Sequence, residues 1–343
     1  MSKLLNIVFL SIVFMFSIFF LLGVGAEDMF DIEKRELREV PSLEEYSIND
    51  IPAAYVEYIS DHFPLRRTIM KSAAVSSYKL FGSVRSDTVA IGKNRFLFLT
   101  AMDATSPLSD YQGTNTFTRQ QTEEIKQLAE HLRQSAKERG QKVVLMIVPN
   151  KEEVYSQYLP DYFVRINEAT RRQQVCELLS RTELTVIDPT ERLLSYSGDD
   201  TQLYHLADTH WTGKGAYIAT QQLLEQLGIE HIRYEDNSFE SGDYYESDIA
   251  NLCHLYDEYT DTRECNAVYD ICREKSKLSV TIVGDSFRWR MREYMDESFG
   301  QVTEFDHTVT QEELKNSKTD VLVLEVVERN LAGIGGILEK AIY

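Results

Sequence analysis

The chain has 343 residues, 43% of them hydrophobic, enough for one large α/β domain or one domain with a small appendage, and too apolar for extended disorder. With 55 acidic against 36 basic residues the formal charge is −19. That field disfavours nucleic acid as a partner and general attraction to anionic lipid or polymer, leaving room only for a local basic cleft.

Leu4 to Gly25 form an apolar run without charge, long enough as a helix to cross a hydrocarbon core of about 30 Å. A cleaved signal peptide is the rival reading, because Lys3 precedes the run and Val24-Gly25-Ala26 offers small residues for cleavage. The run exceeds a signal peptide's usual apolar core, so residues 1–26 are read as an uncleaved anchor, with the rest exported. Residues 27–88 read as a juxtamembrane spacer and a helical cap. Tyr55, Ile59, Phe63, Ile69, Ala73 and Tyr78 recur at helical spacing there, broken at Pro64.

Residues 89–343 read as one domain. Val89-Ala90-Ile91 and Phe96-Leu97-Phe98 flank the turn formers Gly92 to Arg95, a hairpin signal. Thr118 is placed to cap a helix carrying Ile125, Leu128, Leu132 and Ala136 on one face and ended by Gly140. Strand Val143 to Val148 follows, then helix Ala169 to Arg181, strand Leu184 to Ile187, helix Gly215 to Leu227, and strands Val280 to Val283 and Val321 to Val327. This alternation implies a mostly parallel sheet flanked by helices, with ligands beyond the carboxyl ends of the strands, where Asn150, Asp188, Ser286 and Glu328 fall.

An acidic, tyrosine-rich segment, residues 243–274, interrupts the alternation as an insertion and holds Cys253, Cys265 and Cys272. In an exported chain it invites a disulfide of undefined pairing. Cys176 sits among Val175, Leu178 and Leu179 and reads as a buried thiol. Cys253-His254 with Cys265 lacks the paired spacing of a metal site.

Two motifs carry chemistry. Val280 to Val283 stop on Gly284-Asp285-Ser286, which puts a hydroxyl on a turn at a strand end. A serine hydroxyl needs a base, and Asp208-Thr209-His210 supplies one with its orienter: residues two apart in an extended segment face the same side. The order is Asp208, His210, Ser286. Read blandly, the same residues are an ordinary turn and a loop ahead of a helix that Thr212 caps, with Trp211 as packing. Asn150 and Lys151, in the corner after Val148, could donate to an oxyanion or orient a hydroxyl; backbone N–H groups of Ser286 and Phe287 are the rival donors. Arg288, Trp289, Arg290 and Arg292 form a basic, aromatic cluster that could hold an anionic glycan and stack on a sugar ring, or pair with Glu293 and Asp296 on a solvated helix. Glu328-Arg329 pose the same choice.

The run Tyr204 to Tyr217 together with Gly284-Asp285-Ser286-Phe287 resembles the DHHW and AlgX/AlgJ-like family of SGNH-hydrolase-like proteins, which includes alginate O-acetylation factors. Ile91 to Phe98, Val148 to Glu152 and Val321 to Asn330 extend the likeness over nearly everything after about residue 50. It departs at Thr209, since this chain reads Asp-Thr-His-Trp rather than Asp-His-His-Trp. The resemblance implies an SGNH-hydrolase-like fold and catalytic roles for Ser286, His210 and Asp208, and it tips Glu328 and Arg329 toward a structural or substrate-orienting role; substrate contacts from Asn150, Lys151, Arg288 and Trp289 are expected from their own positions. It also implies no cofactor, a polysaccharide acceptor, and a membrane-bound O-acyltransferase as acyl supplier. Three readings follow: an extracytoplasmic O-acetyltransferase acting on a cell-envelope or secreted polysaccharide, an esterase or deacetylase using the same residues, and a catalytically silent glycan-binding assembly protein. A metalloenzyme with His205, Asp208 and His210 as ligands is a more distant fourth.

Overall fold

The computed structural model describes residues 2–21, 36–198, 202–229, 232–243, 247–271 and 273–343, which divide into two compact units. The smaller unit comprises residues 1–86 and 250–260. Its longer described helices are α1 (Ser2–Leu21), α2 (Ile51–Asp61) and α3 (Arg66–Phe81), the last closed by Gly82 at φ 63°. α1 exposes Leu4, Leu5, Ile7, Phe9 and Leu10. Among the described residues, no helix is long and apolar enough to cross a membrane. The end of the expected span, the alternative cleavage site and the start of the spacer fall in residues 22–35, outside the described set. On α3, Arg67 and Lys71 lie over the Tyr256 ring, 5.5 and 5.0 Å from its centroid.

The larger unit comprises residues 87–249 and 261–343. It opens with the expected hairpin: β1 (Val89–Ile91) pairs antiparallel with β2 (Leu97–Leu99). Helix α4 (Arg119–Arg139) begins on a reciprocal cap between Thr118 and Gln121 and ends at Gly140, φ 66°. After β3 (Lys142–Val148), helix α5 (Arg171–Leu179) starts on the same device, Thr170 with Gln173. β4 (Thr185–Ile187) and helix α6 (Gly213–Leu227) follow, and Thr212 Oγ1 accepts from the Gly215 N–H.

Five parallel strands form the central sheet in the order β4-β3-β9-β7-β8, where β7 is Ser276–Gly284, β8 Phe299–Asp306 and β9 Val321–Val327. The near-continuous apolar runs of β3 and β9 are those of strands buried on both faces. Val144, Met146, Val323 and Ile282 pack on one face with α6 and with helix α7 (Arg288–Ser298). Leu145, Ile147, Leu322 and Leu324 pack on the other with α4, α5 and helix α8 (Ile334–Lys340). The fold is therefore α/β, a parallel sheet flanked by helices.

Two features were not anticipated from the sequence. β8 lies at the sheet edge with only Phe299 fully buried, so its residues carry little apolar signal. The Cys-bearing insertion supplies one arm of an antiparallel ribbon, β5 (Ile232–Asp243) with β6 (Arg263–Ile271), whose register shifts between Tyr234 and Phe239 and so hides its period. From β6, Glu264 Oε1 accepts the Gly213 N–H at 2.7 Å, tying the ribbon to the start of α6. Cys253 is a buried free thiol and Cys265 is buried in β6, while Cys272 lies outside the described residues, and the expected disulfide with it. Burial pushes the half-buried Cys176 thiol up to about 12.

Candidate active site

β7 delivers its last residues to the carboxyl edge of the sheet, where Gly284-Asp285-Ser286 turns the chain into α7. Ser286 Oγ lies 2.6 Å from His210 Nε2, and His210 Nδ1 lies 2.6 Å from Asp208 Oδ1. The serine hydroxyl donates to Nε2 while the Nδ1–H donates to the carboxylate, which fixes the tautomer. Asp208 Oδ1 also accepts the His210 N–H at 2.9 Å, so one carboxylate holds both the ring and the backbone of the base.

The loop carrying this pair is clamped on several sides. Tyr204 and Trp211 form an isolated antiparallel bridge, and Trp211 Nε1 donates to the Phe287 carbonyl at 3.1 Å, joining the base loop to the serine turn. Lys151, expected to contact substrate, is instead buried below the loop. Its ammonium donates to the carbonyls of Leu97, Leu206 and Asp208 at 2.7, 2.9 and 3.1 Å, which engages its three N–H donors. Burial lowers it to about 8 against the opposing pull of Glu152, Asp208 and Asp248.

Asp248, which no sequence signal marked, is a second carboxylate at the base. It accepts from the Thr209 N–H at 2.8 Å and the Thr209 hydroxyl at 2.7 Å, and its own N–H donates to Asp208 Oδ2 at 3.0 Å. Burial and the Asp208 charge raise it to about 6. Asp208, His210 and Asp248 are close enough to share a cation. His205, the other ligand considered from sequence, faces Glu264 at 3.3 Å instead.

Burial would raise the Asp208 carboxyl, but the His210 hydrogen bond and charge, with backbone N–H groups, hold it well below the usual range. Burial would lower His210, yet the Asp208 hydrogen bond and charge win and raise it. A base must be neutral to accept a proton, so Ser286 acylation is expected to rise through a midpoint above about 6.5 and to fall away below it. Asp208→Asn should shift that midpoint down and slow acylation on the order of 10³-fold or more; pH profiles of the two proteins check both.

Several expected contacts are engaged elsewhere. Asn150 is buried; its Nδ2 reaches Asp110 Oδ2 at 3.5 Å and its Oδ1 accepts the Arg329 N–H at 3.1 Å. Glu328 is buried beside Arg172, 3.5 Å away, and accepts the Asn150 N–H at 3.2 Å. Burial, offset by Arg172, raises it to about 7. Arg288 donates to the carbonyls of Gly284 and Asp285 and pairs with Glu304, as does Arg292. Of the rival oxyanion donors, the Phe287 N–H is bonded to Asp285 Oδ1 at 3.1 Å. Trp289 remains 58% exposed next to the serine turn, and the Arg329 guanidinium stands over the Phe287 ring at 5.2 Å.

Residues 89–241 match the sequence model of a family described as SGNH hydrolase-like domain, acetyltransferase AlgX. The fold is SGNH hydrolase-like. The matched stretch contains Asp208 and His210 and stops before Ser286. "Probable alginate O-acetylase AlgJ" of Pseudomonas syringae pv. tomato is 28% identical over 172 residues, covering 50% of this chain and 41% of that protein. Its counterpart in Pseudomonas aeruginosa is 26% identical over 182 residues, covering 52% and 43%. The chain thus spans less than half the length of these curated relatives. A crystal structure of a DHHW family protein from Eubacterium siraeum superposes with a TM-score of 0.50 at 14% identity, covering 73% of this chain and 97% of that one. That likeness bears on the SGNH-like fold alone.

Proposed function

We propose that the protein is a serine-dependent O-acetyltransferase acting on a cell-envelope or secreted polysaccharide. The observation that carries this reading is the continuous relay from Asp208 through His210 to Ser286, 2.6 Å at each step. Ser286 Oγ attacks the carbonyl carbon of an acetyl donor as its proton passes to His210 Nε2. The protonated imidazole returns that proton to the departing donor oxygen, leaving acetyl-Ser286. A sugar hydroxyl then gives its proton to Nε2 and attacks the acetyl carbonyl, and the imidazolium passes that proton to the departing Ser286 Oγ, which restores the hydroxyl and the neutral base. Asp208 stabilises the imidazolium in both halves without taking its proton. The Ser286 N–H is the proposed oxyanion donor, since the Phe287 N–H is held by Asp285.

Substrate contacts are proposed for Trp289 and Arg329. An exposed indole three residues past the nucleophile suits stacking on a sugar ring, and a guanidinium over the neighbouring Phe287 ring suits hydrogen bonds to the glycan. Trp289→Ala is expected to raise KM for an oligosaccharide acceptor about tenfold while Ser286 acylation by a small ester stays unchanged. Parallel acylation and transfer assays separate the two. Asn150, Lys151, Arg288 and Glu328 are proposed to shape the site from beneath.

The uncharged run Leu4 to Gly25 supports an N-terminal membrane anchor, with residues 27–88 as spacer and cap, residues 89–343 as the catalytic domain, and that domain on the extracytoplasmic side. A membrane-bound O-acyltransferase is the proposed supplier of acetyl groups, and tethering beside it would raise the effective concentration of Ser286 at the acetyl donor. Incubation with an acetyl ester and candidate oligosaccharides tests the reading: acetylated sugar is expected, and release of free acetate alone would make the protein an esterase.

A further inference from the structure

Beneath the serine turn lies a carboxyl group that the mechanism does not use. Glu325 is an interior residue of β9 and fully buried, with Val323 and Val327 on the same face of its strand and Met146 opposite it on β3. Its Oε2 accepts the Asp285 N–H at 3.0 Å, and its Oε1 has no hydrogen-bond partner among the described residues. Two charged groups face it. Asp285 is a carboxylate already served by the Phe287 and Val327 N–H groups and by Asn330 Nδ2, at 3.1, 2.9 and 3.2 Å. Arg288 is directed to the carbonyls of Gly284 and Asp285 and to Glu304. His307 bonds only the Glu325 main-chain carbonyl, at 2.9 Å.

A dry carboxyl with no cation bonded to it, set against a carboxylate with its own donors, is far more stable protonated than charged. The approach is close: a Cβ on Gly284 would lie 2.3 Å from Glu325 Oε2, so glycine is needed there for the carboxyl to reach the turn. We propose that Glu325 is a neutral acid that locks the Gly284-Asp285-Ser286 turn to β9, accepting from the Asp285 N–H while its own proton serves the Asp285 carboxylate, and so holds Ser286 in register with His210. This is a positioning role, and it rests on Ser286 being the nucleophile. Burial, followed by the Asp285 charge, raises the Glu325 carboxyl far above its ordinary range, in the same direction.

In the unfolded chain a Glu ionises above about 4.3, so keeping this one protonated costs folding free energy that grows as pH rises past that value. Glu325→Gln keeps the shape, an acceptor and a donor, and does not titrate. Urea unfolding midpoints of the full-length wild-type and Glu325→Gln proteins, taken from about pH 5 to about pH 9, should therefore diverge in favour of Gln as pH rises. A constant gap across that range would overturn the proposal. With 4-nitrophenyl acetate as probe, Glu325→Gln should acylate Ser286 within about threefold of wild type, whereas a folded Glu325→Leu should lose about tenfold or more. Wild-type speed in Glu325→Leu would equally overturn it. Should no protein, wild type included, be acylated while the midpoints diverge, the neutral acid stands and the acyl-transfer reading fails.

Discussion

Replacing Ser286 by Ala is expected to abolish acetyl transfer, a loss on the order of 10⁴-fold or more, without changing the unfolding midpoint. The Oγ is the atom that forms the acyl bond, and its recorded hydrogen bond goes to His210 Nε2, so its removal leaves the turn's main-chain contacts in place. His210→Ala should cost nearly as much. The pair acts as one unit: the base has nothing to deprotonate without the hydroxyl, and the hydroxyl stays protonated without the base. The double mutant is therefore expected to be barely slower than Ser286→Ala, and losses that multiplied would argue against a shared relay. Rates of acylation and of transfer, measured on the same preparations with their unfolding curves, decide this.

The second large effect is on stability. Lys151→Met keeps most of the side-chain volume and removes three hydrogen bonds at once, taking a donor from the carbonyls of Leu97, Leu206 and Asp208, of which Leu206 still accepts the Leu97 N–H at 2.9 Å. An unsatisfied buried carbonyl costs about 1–3 kcal/mol, so the loss of this donor at Leu97 and Asp208 is expected to destabilise the fold by about 2 kcal/mol or more. Part of the effect should reach the chemistry, because the third of these carbonyls belongs to the residue that orients His210. Urea unfolding measures the loss. A midpoint matching that of the wild type would mean that the ammonium is not the post on which the base loop rests.

How far the sequence discloses the site follows from the range of each contact. Strand β7 and the turn after it were legible because β-branched residues stop on Gly284-Asp285-Ser286 within a few positions. The Asp208 to His210 pairing was legible because it spans two residues. Thr118 and Thr212 each precede a helical run, and caps are local, whereas Thr170, expected inside a helix from Ala169, proves to be the cap of Arg171–Leu179. Asp248 and Glu325 were missed for the opposite reason: each acts on a residue 40 positions away, Asp208 and Asp285, and nothing beside them in the chain marks the contact. Asp248 also lies in the Tyr- and Cys-rich segment, whose ribbon pairing with shifted register obscured its period. From sequence Lys151 reads as a donor in the corner after Val148 and Arg288 as part of a basic cluster past the nucleophile, since local order shows that both lie near the serine turn but not which way they face. Here the fold turns both inward onto main-chain carbonyls, a placement set by contacts across 57 residues for Lys151 with Asp208 and by the four-residue return of Arg288 to Gly284.

The central claim is that Ser286 carries the acetyl group, and peptide mass mapping after brief exposure of the purified full-length protein to an activated acetyl ester tests it most directly. One acetyl group on the peptide containing Ser286 is the predicted result, absent from Ser286→Ala and nearly absent from His210→Ala. Acetylation confined to other residues, or labelling of the same extent in Ser286→Ala, would contradict the account.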